Sequence, residues 1–153
     1  MLTNGHSWMI EEGMRLFGQL VVGVGTNPDK KSMFTVAERV EMIRECFPTV
    51  EVVSFSNEFT VEYCLKRQDI PYILRGIRSE KDYEAERMMR HVNGDIENSI
   101  TTVFLIPPRN LAEVSSSMVK GMIGFRGWVR VIERYVPALV YKKILEKEKA
   151  KIC

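Results

Sequence analysis

An α/β fold, a largely parallel sheet flanked by helices, is what this sequence predicts, and three observations carry it. Strand-like apolar runs alternate with amphipathic helical segments along the whole chain. The runs are nearly all apolar, as in strands covered on both faces. The 153 residues, 45% apolar and 27% charged, match one globular domain over 1–153 with enough apolar material for a core.

The first helix is expected from about Ser7 to Phe17, because Ile10, Met14 and Phe17 recur at helical spacing and Gly18 follows as a stop. The run from Gln19 to Gly25 is rich in β-branched residues and ends in Thr26-Asn27-Pro28-Asp29, so it reads as a buried strand closed by turn chemistry. Thr35 with Glu38 has the form of a capping box, and Val36, Val40 and Ile43 continue one helical face that must end before Pro48. Val50 to Phe55 is a second strand, Thr60 to Lys66 a short helix and Pro71 to Leu74 a third strand. Ser79, with Asp82 three residues on, opens a helix that runs to about Val92 or beyond. Thr101 to Ile106 is the fourth strand, stopped by Pro107-Pro108. Val114, Met118, Met122 and Ile123 mark the next helical face, and Pro137 introduces a last helix whose charged end, Glu146 to Lys151, is expected to fray. Met88, Met89, Met118 and Met122 read as core filler.

A net charge of +2, from 22 basic and 20 acidic residues, supplies no whole-surface field that calls for nucleic acid or a membrane. No apolar run approaches the roughly 18 residues of a transmembrane helix, and the start lacks the pattern of a secretory signal. Cys46, Cys64 and Cys153 have no metal-ligand spacing and fit a reducing, cytoplasmic setting.

Ligands of such sheets bind beyond the carboxyl ends of the strands. Asp29-Lys30-Lys31, Arg75-Gly76-Ile77-Arg78 and Ser115-Ser116-Ser117 are the polar or basic segments there. Thr3-Asn4-Gly5-His6 stands at the head of the first helix, where a close-approach glycine and an imidazole accompany unpaired helical N–H groups suited to a polyphosphate. Arg75 follows four residues expected to be buried, so its charge needs a partner or a ligand. Glu86 falls on the helix beyond, where an acidic side chain reads first as part of a solvated face. No Ser-His-Asp or paired-carboxylate arrangement offers a general base.

In order along the chain, Thr3-Asn4-Gly5-His6, Asp29-Lys30-Lys31, Met33-Phe34-Thr35, Glu38-Arg39-Val40 and Ile73-Leu74-Arg75-Gly76-Ile77-Arg78 resemble the bacterial phosphopantetheine adenylyltransferases of the HxGH nucleotidyltransferase superfamily. The likeness continues through Asp82-Tyr83-Glu84, Glu86, Asn93 and Val114 to Lys120, with Leu74 to Arg78 its most specific element. It implies a Rossmann-like sheet and transfer of an adenylyl group from ATP to the phosphate of 4'-phosphopantetheine, with Mg2+ accompanying ATP. A phosphate monoester, with its second pKa about 6, is already largely dianionic at pH 7 and needs no base. By resemblance, His6, Lys30 and Arg78 are catalytic, Lys30, Arg75 and Phe59 hold the acceptor, and no protein metal site is needed. ATP falls to His6, Gly76, Ile77, Arg78, Glu86 and the stretch Leu111, Ala112, Glu113, Val114, Ser115, Ser116 and Ser117. A homo-oligomer, a hexamer in this family, is expected.

The sequence departs from the family pattern at Ala85, Met88, Gly121 and Gly127-Trp128-Val129-Arg130. The family also places a central strand and a Gly-Ser/Thr-Phe-Asp-Pro turn before the Thr-Asn-Gly-His. Only Met1 and Leu2 stand there, so the sheet is expected to lack its first central strand. Two other readings stay open at this point. One is a truncated, inactive relative acting in binding or assembly; the other is a further HxGH enzyme such as a cytidylyltransferase, against which the Arg-Gly-Ile-Arg turn speaks.

Overall fold

The computed structural model describes residues 1–26, 32–56 and 58–150. The chain divides into two compact units, Met1–Ser54 with Glu113–Cys153, and Phe55–Ala112. Residues 27–31, which include Lys30 and Lys31, and residues 57 and 151–153 lie outside the described residues.

The first unit begins with α1 (Asn4–Phe17), three residues ahead of the expected start. The cause is local: Thr3 is the N-cap in extended conformation, and the ring of His6, three residues on, accepts the Thr3 backbone N–H. Asn4, Gly5 and His6 are therefore the first helical turn and not a turn before it. β1 (Val21–Gly25) leads to α2 (Val36–Cys46), whose capping box is formed as expected: Glu38 N–H donates to Thr35 Oγ1 at 3.2 Å and Thr35 N–H to Glu38 Oε2 at 2.6 Å. β2 (Glu51–Phe55) pairs with β1, and its last residue falls in the second unit.

After Glu113 the chain returns to the first unit with α5 (Ser116–Met122), α6 (Trp128–Ile132), which the sequence pattern did not suggest, and α7 (Ala138–Lys149). α7 is helical to Lys149, so most of the charged end that was expected to fray is ordered helix, with Lys151 outside the described residues. Lys147 reaches Glu38 at 2.6 and 2.9 Å and lies 4.8 Å from the ring centre of Phe34, while Lys143 reaches Glu45 at 2.8 Å and Glu41 at 3.3 Å. The hydrogen bond from Lys147, with a second from the Thr35 backbone, holds the Glu38 carboxyl below its usual pKa. Beneath these pairs Met42, Val119, Ile132, Val140 and Ile144 are completely buried in one apolar cluster.

The second unit contains α3 (Thr60–Arg67), β3 (Tyr72–Gly76), α4 (Glu80–Ile96), β4 (Thr101–Leu105) and a 3-10 turn, Arg109–Leu111. β3 and β4 are parallel, with Arg75 opposite Phe104 and Gly76 opposite Leu105. Val61, Cys64, Ile73 and Ile100 form its small core. β3 runs two residues past the expected end at Leu74, so Arg75 and Gly76 belong to the strand. Burial along it alternates, leaving Tyr72 half exposed; a strand covered on both faces would not. Met88 is exposed, which corrects its reading as core filler, whereas Met118 and Met122 pack on the first unit's core.

The helices and parallel strands bear out the α/β class. The described strands pair only as β1 with β2 and β3 with β4. Strands bond only to a neighbour about 4.8 Å away, and no described strand bridges the two pairs.

Candidate active site

In the first unit the helix start that carries His6 is pinned from two sides. Asn4 N–H donates to Tyr135 O at 2.9 Å and its side-chain amide to Arg134 O at 3.0 Å. Thr3 is wholly buried. Its backbone N–H donates to His6 Nδ1 at 3.2 Å, with Thr3 Oγ1 2.8 Å from the same nitrogen. An amide N–H can only donate, so Nδ1 is the acceptor and neutral His6 carries its proton on Nε2. The ring is thus supplied as a donor beside the N–H groups that open α1, a place favourable to an anion.

The serine segment meets this helix start. Ser115 caps α5, accepting Met118 N–H at 3.1 Å, and Ser116 Oγ donates to Met1 O at 2.7 Å. A Cβ on Gly5 would stand 3.2 Å from Val114 O, so glycine is what lets the two segments approach. His6 and the stretch Val114 to Ser116 are therefore brought together. Ser117 is exposed on α5, and Leu111 and Ala112 end the second unit at the 3-10 turn, just before Glu113.

In the second unit Arg75 has the partner its position demanded. Its Nε donates to Glu86 Oε2 at 2.7 Å and its Nη2 to Glu86 Oε1 at 2.8 Å, a two-pronged pair across β3 and α4. Glu86 is thus not part of a solvated face; its side chain is 18% exposed, that of Arg75 45%. Arg78 pairs with Asp82, Nε to Oδ2 at 2.9 Å and Nη2 to Oδ1 at 3.3 Å, and its backbone N–H meets the same carboxylate. Ile77 N–H donates to Leu105 O at 2.9 Å, tying the turn after Gly76 to the end of β4. Phe59, half exposed, is the N-cap of α3. Lys30 lies outside the described residues.

Thr60, Ile73, Arg75, Glu86, Met89, Arg90, Asn93 and Thr102 line a small cavity within this unit. Two of its polar atoms, Asn93 Oδ1 and Thr102 Oγ1, are buried and have no hydrogen-bond partner. Native interiors rarely leave such atoms unpaired, since each costs on the order of 1–3 kcal/mol. Sequence reasoning included Asn93 in the family likeness but gave it no role, and it missed Thr60, Arg90 and Thr102. Helical spacing from Glu86 through Met89 and Arg90 to Asn93 is the signal that could have placed the α4 members on one face.

Among the described residues no cluster of three His, Cys, Asp or Glu could hold a metal ion. No helix among the described residues is long and apolar enough to cross a membrane.

The Cytidylyltransferase-like family model matches residues 1–122, which makes this chain a nucleotidyltransferase of that class. Narrower relatives are named phosphopantetheine adenylyltransferase. One from Neisseria meningitidis serogroup C is 53% identical over 146 residues, covering 94% of this chain and 85% of its own length. Another from Chromobacterium violaceum is 52% identical over 147 residues, covering 94% and 89%, and one from Carboxydothermus hydrogenoformans 36% over 155 residues, covering 99% and 93%. The chain belongs to the phosphopantetheine adenylyltransferase family, which favours the adenylyl over the cytidylyl reading.

Proposed function

We propose that this chain transfers the adenylyl group of ATP to the phosphate of 4'-phosphopantetheine, giving dephospho-coenzyme A and pyrophosphate, in the cytoplasm. The observation that carries this reading is the match, over nearly the full chain, to relatives of that name. His6 Nε2–H donates to the phosphate oxygens that gain charge as the α-phosphorus is attacked, and the opening N–H groups of α1 support it. Val114 to Ser117, with Leu111 to Glu113, Gly76, Ile77 and Arg78, bind ATP, and Mg2+ arrives on its phosphates. Arg75 and Lys30 hold the acceptor phosphate, which attacks without a base because it is already ionised.

Glu86, an ATP ligand by resemblance, has both oxygens on Arg75. It therefore also orients the guanidinium that receives the acceptor. Asn93 Oδ1 and Thr102 Oγ1 gain partners from the amides of the pantetheine arm, and Phe59 offers it an apolar contact. The active form is a homo-oligomer, expected as a hexamer, which sedimentation would reveal.

The test is ATP-dependent pyrophosphate release with 4'-phosphopantetheine and Mg2+. Turnover that EDTA abolishes and excess Mg2+ restores is expected, with CTP unable to replace ATP. Preference for CTP, or no release at all, would overturn the reading.

A further inference from the structure

Arg90 is the one charged residue of the second unit's cavity to which neither the sequence nor the family likeness assigns a role. It stands one turn after Glu86 on α4, and no carboxylate among the described residues pairs with it. Its guanidinium lies close to the helix at Gly94. Nη1 lies 2.7 Å, and Cζ 3.9 Å, from where a Cβ on Gly94 would stand. Any side chain at position 94 would have to displace it. Glycine inside a helix costs about 0.5–1 kcal/mol relative to alanine, and here its effect is to make room for the arginine head.

The same cavity contains the unpaired Asn93 Oδ1, an acceptor in a residue only 7% exposed, and the unpaired Thr102 hydroxyl. Arg75, at the cavity's edge, already has its charge matched by Glu86. What remains open is a set of donors on Arg90 beside a buried acceptor on Asn93. A secondary amide presents the complement, a C=O for the guanidinium and an N–H for Asn93 Oδ1.

Resting on the function proposed above, we infer that Arg90 is a specificity-determining contact to the acceptor, donating to an amide carbonyl of the pantetheine arm, and that Gly94 leaves the room its head occupies. Arg90 selects an amide-bearing acceptor, while Arg75 grips the phosphate that all candidate acceptors share. No bond is made or broken at Arg90.

The test is steady-state kinetics on the full chain with 4'-phosphopantetheine. Arg90→Met keeps most of the stem and removes the donors; it raises KM for the acceptor about tenfold and leaves kcat and KM for ATP within about twofold. Gly94→Ala, with Arg90 intact, raises acceptor KM in the same way by pushing the guanidinium aside, and the double variant is no worse than either single one. Unchanged acceptor KM in Arg90→Met, an equal rise in KM for ATP, or additive losses in the double variant overturns the assignment. If Arg90→Met melts far below the wild type, Gly94→Ala decides alone: normal acceptor KM there also overturns it. Absence of turnover by the wild type sinks the proposed function itself, whereas wild-type turnover with unaltered acceptor KM in the variants removes only the role of Arg90.

Discussion

The two nitrogens of His6 have different tasks, and the backbone assigns them. Because the Thr3 N–H takes Nδ1, the ring presents Nε2–H whatever side chain replaces Thr3, so the tautomer is built into the helix start. Acting on charge that develops in the transition state, His6→Ala should lower kcat by about 10²–10³ while KM for ATP moves only a few-fold. Equal losses in both constants would show that the ring serves ground-state binding. Arg75 depends on a different device, the fork it forms with Glu86. Glu86→Gln retains size but not charge, and Arg75→Lys keeps charge but not the fork; each should raise acceptor KM about tenfold in initial-rate measurements. A rise in KM for ATP alone in Glu86→Gln would mean that nucleotide binding, not orientation of Arg75, is its task.

Among the elements, α2 combines a formed capping box with an ion pair to Lys147 of α7, and both effects converge on Glu38. Thr35→Ala should cost about 1 kcal/mol, read as a lowered melting temperature. Glu38 adds a dependence on pH. Its carboxyl is held low in the folded state, so its contribution is complete above the unfolded pKa of about 4.3 and is lost as pH falls through the folded value. Glu38→Gln should therefore start with a lower melting temperature at pH 6 and lose less than the wild type between pH 5 and pH 3. Parallel losses over that range would remove Glu38 from the acid response. These effects were partly legible: Thr35 and Glu38 announce their box three residues apart, but Lys147 lies 109 positions away and no local pattern points to it.

For the molecule as a whole, the core of the first unit is closed by the chain's last helix. Ile144 and Val140 of α7 are completely buried against Met42, Val119 and Ile132. Ile144→Ala should cost about 2–5 kcal/mol in denaturant unfolding, a large share of the roughly 5–15 kcal/mol that keeps a domain folded. A loss under 1 kcal/mol would mean that α7 is only loosely joined to that core.

The sequence by itself determined the α/β class, the order of most elements and the family, because these rest on local periodicity, capping residues and short motifs such as Leu74 to Arg78. It did not reveal that Asn4, Gly5 and His6 are already helical, or that Arg75 is a strand residue paired with Glu86. Nor did it mark the cavity, where Asn93 and Thr102 are left unpaired and Gly94 makes room for Arg90. Only tertiary structure could decide these, since burial, register and the partner of a charge depend on residues that meet in space after being far apart in sequence.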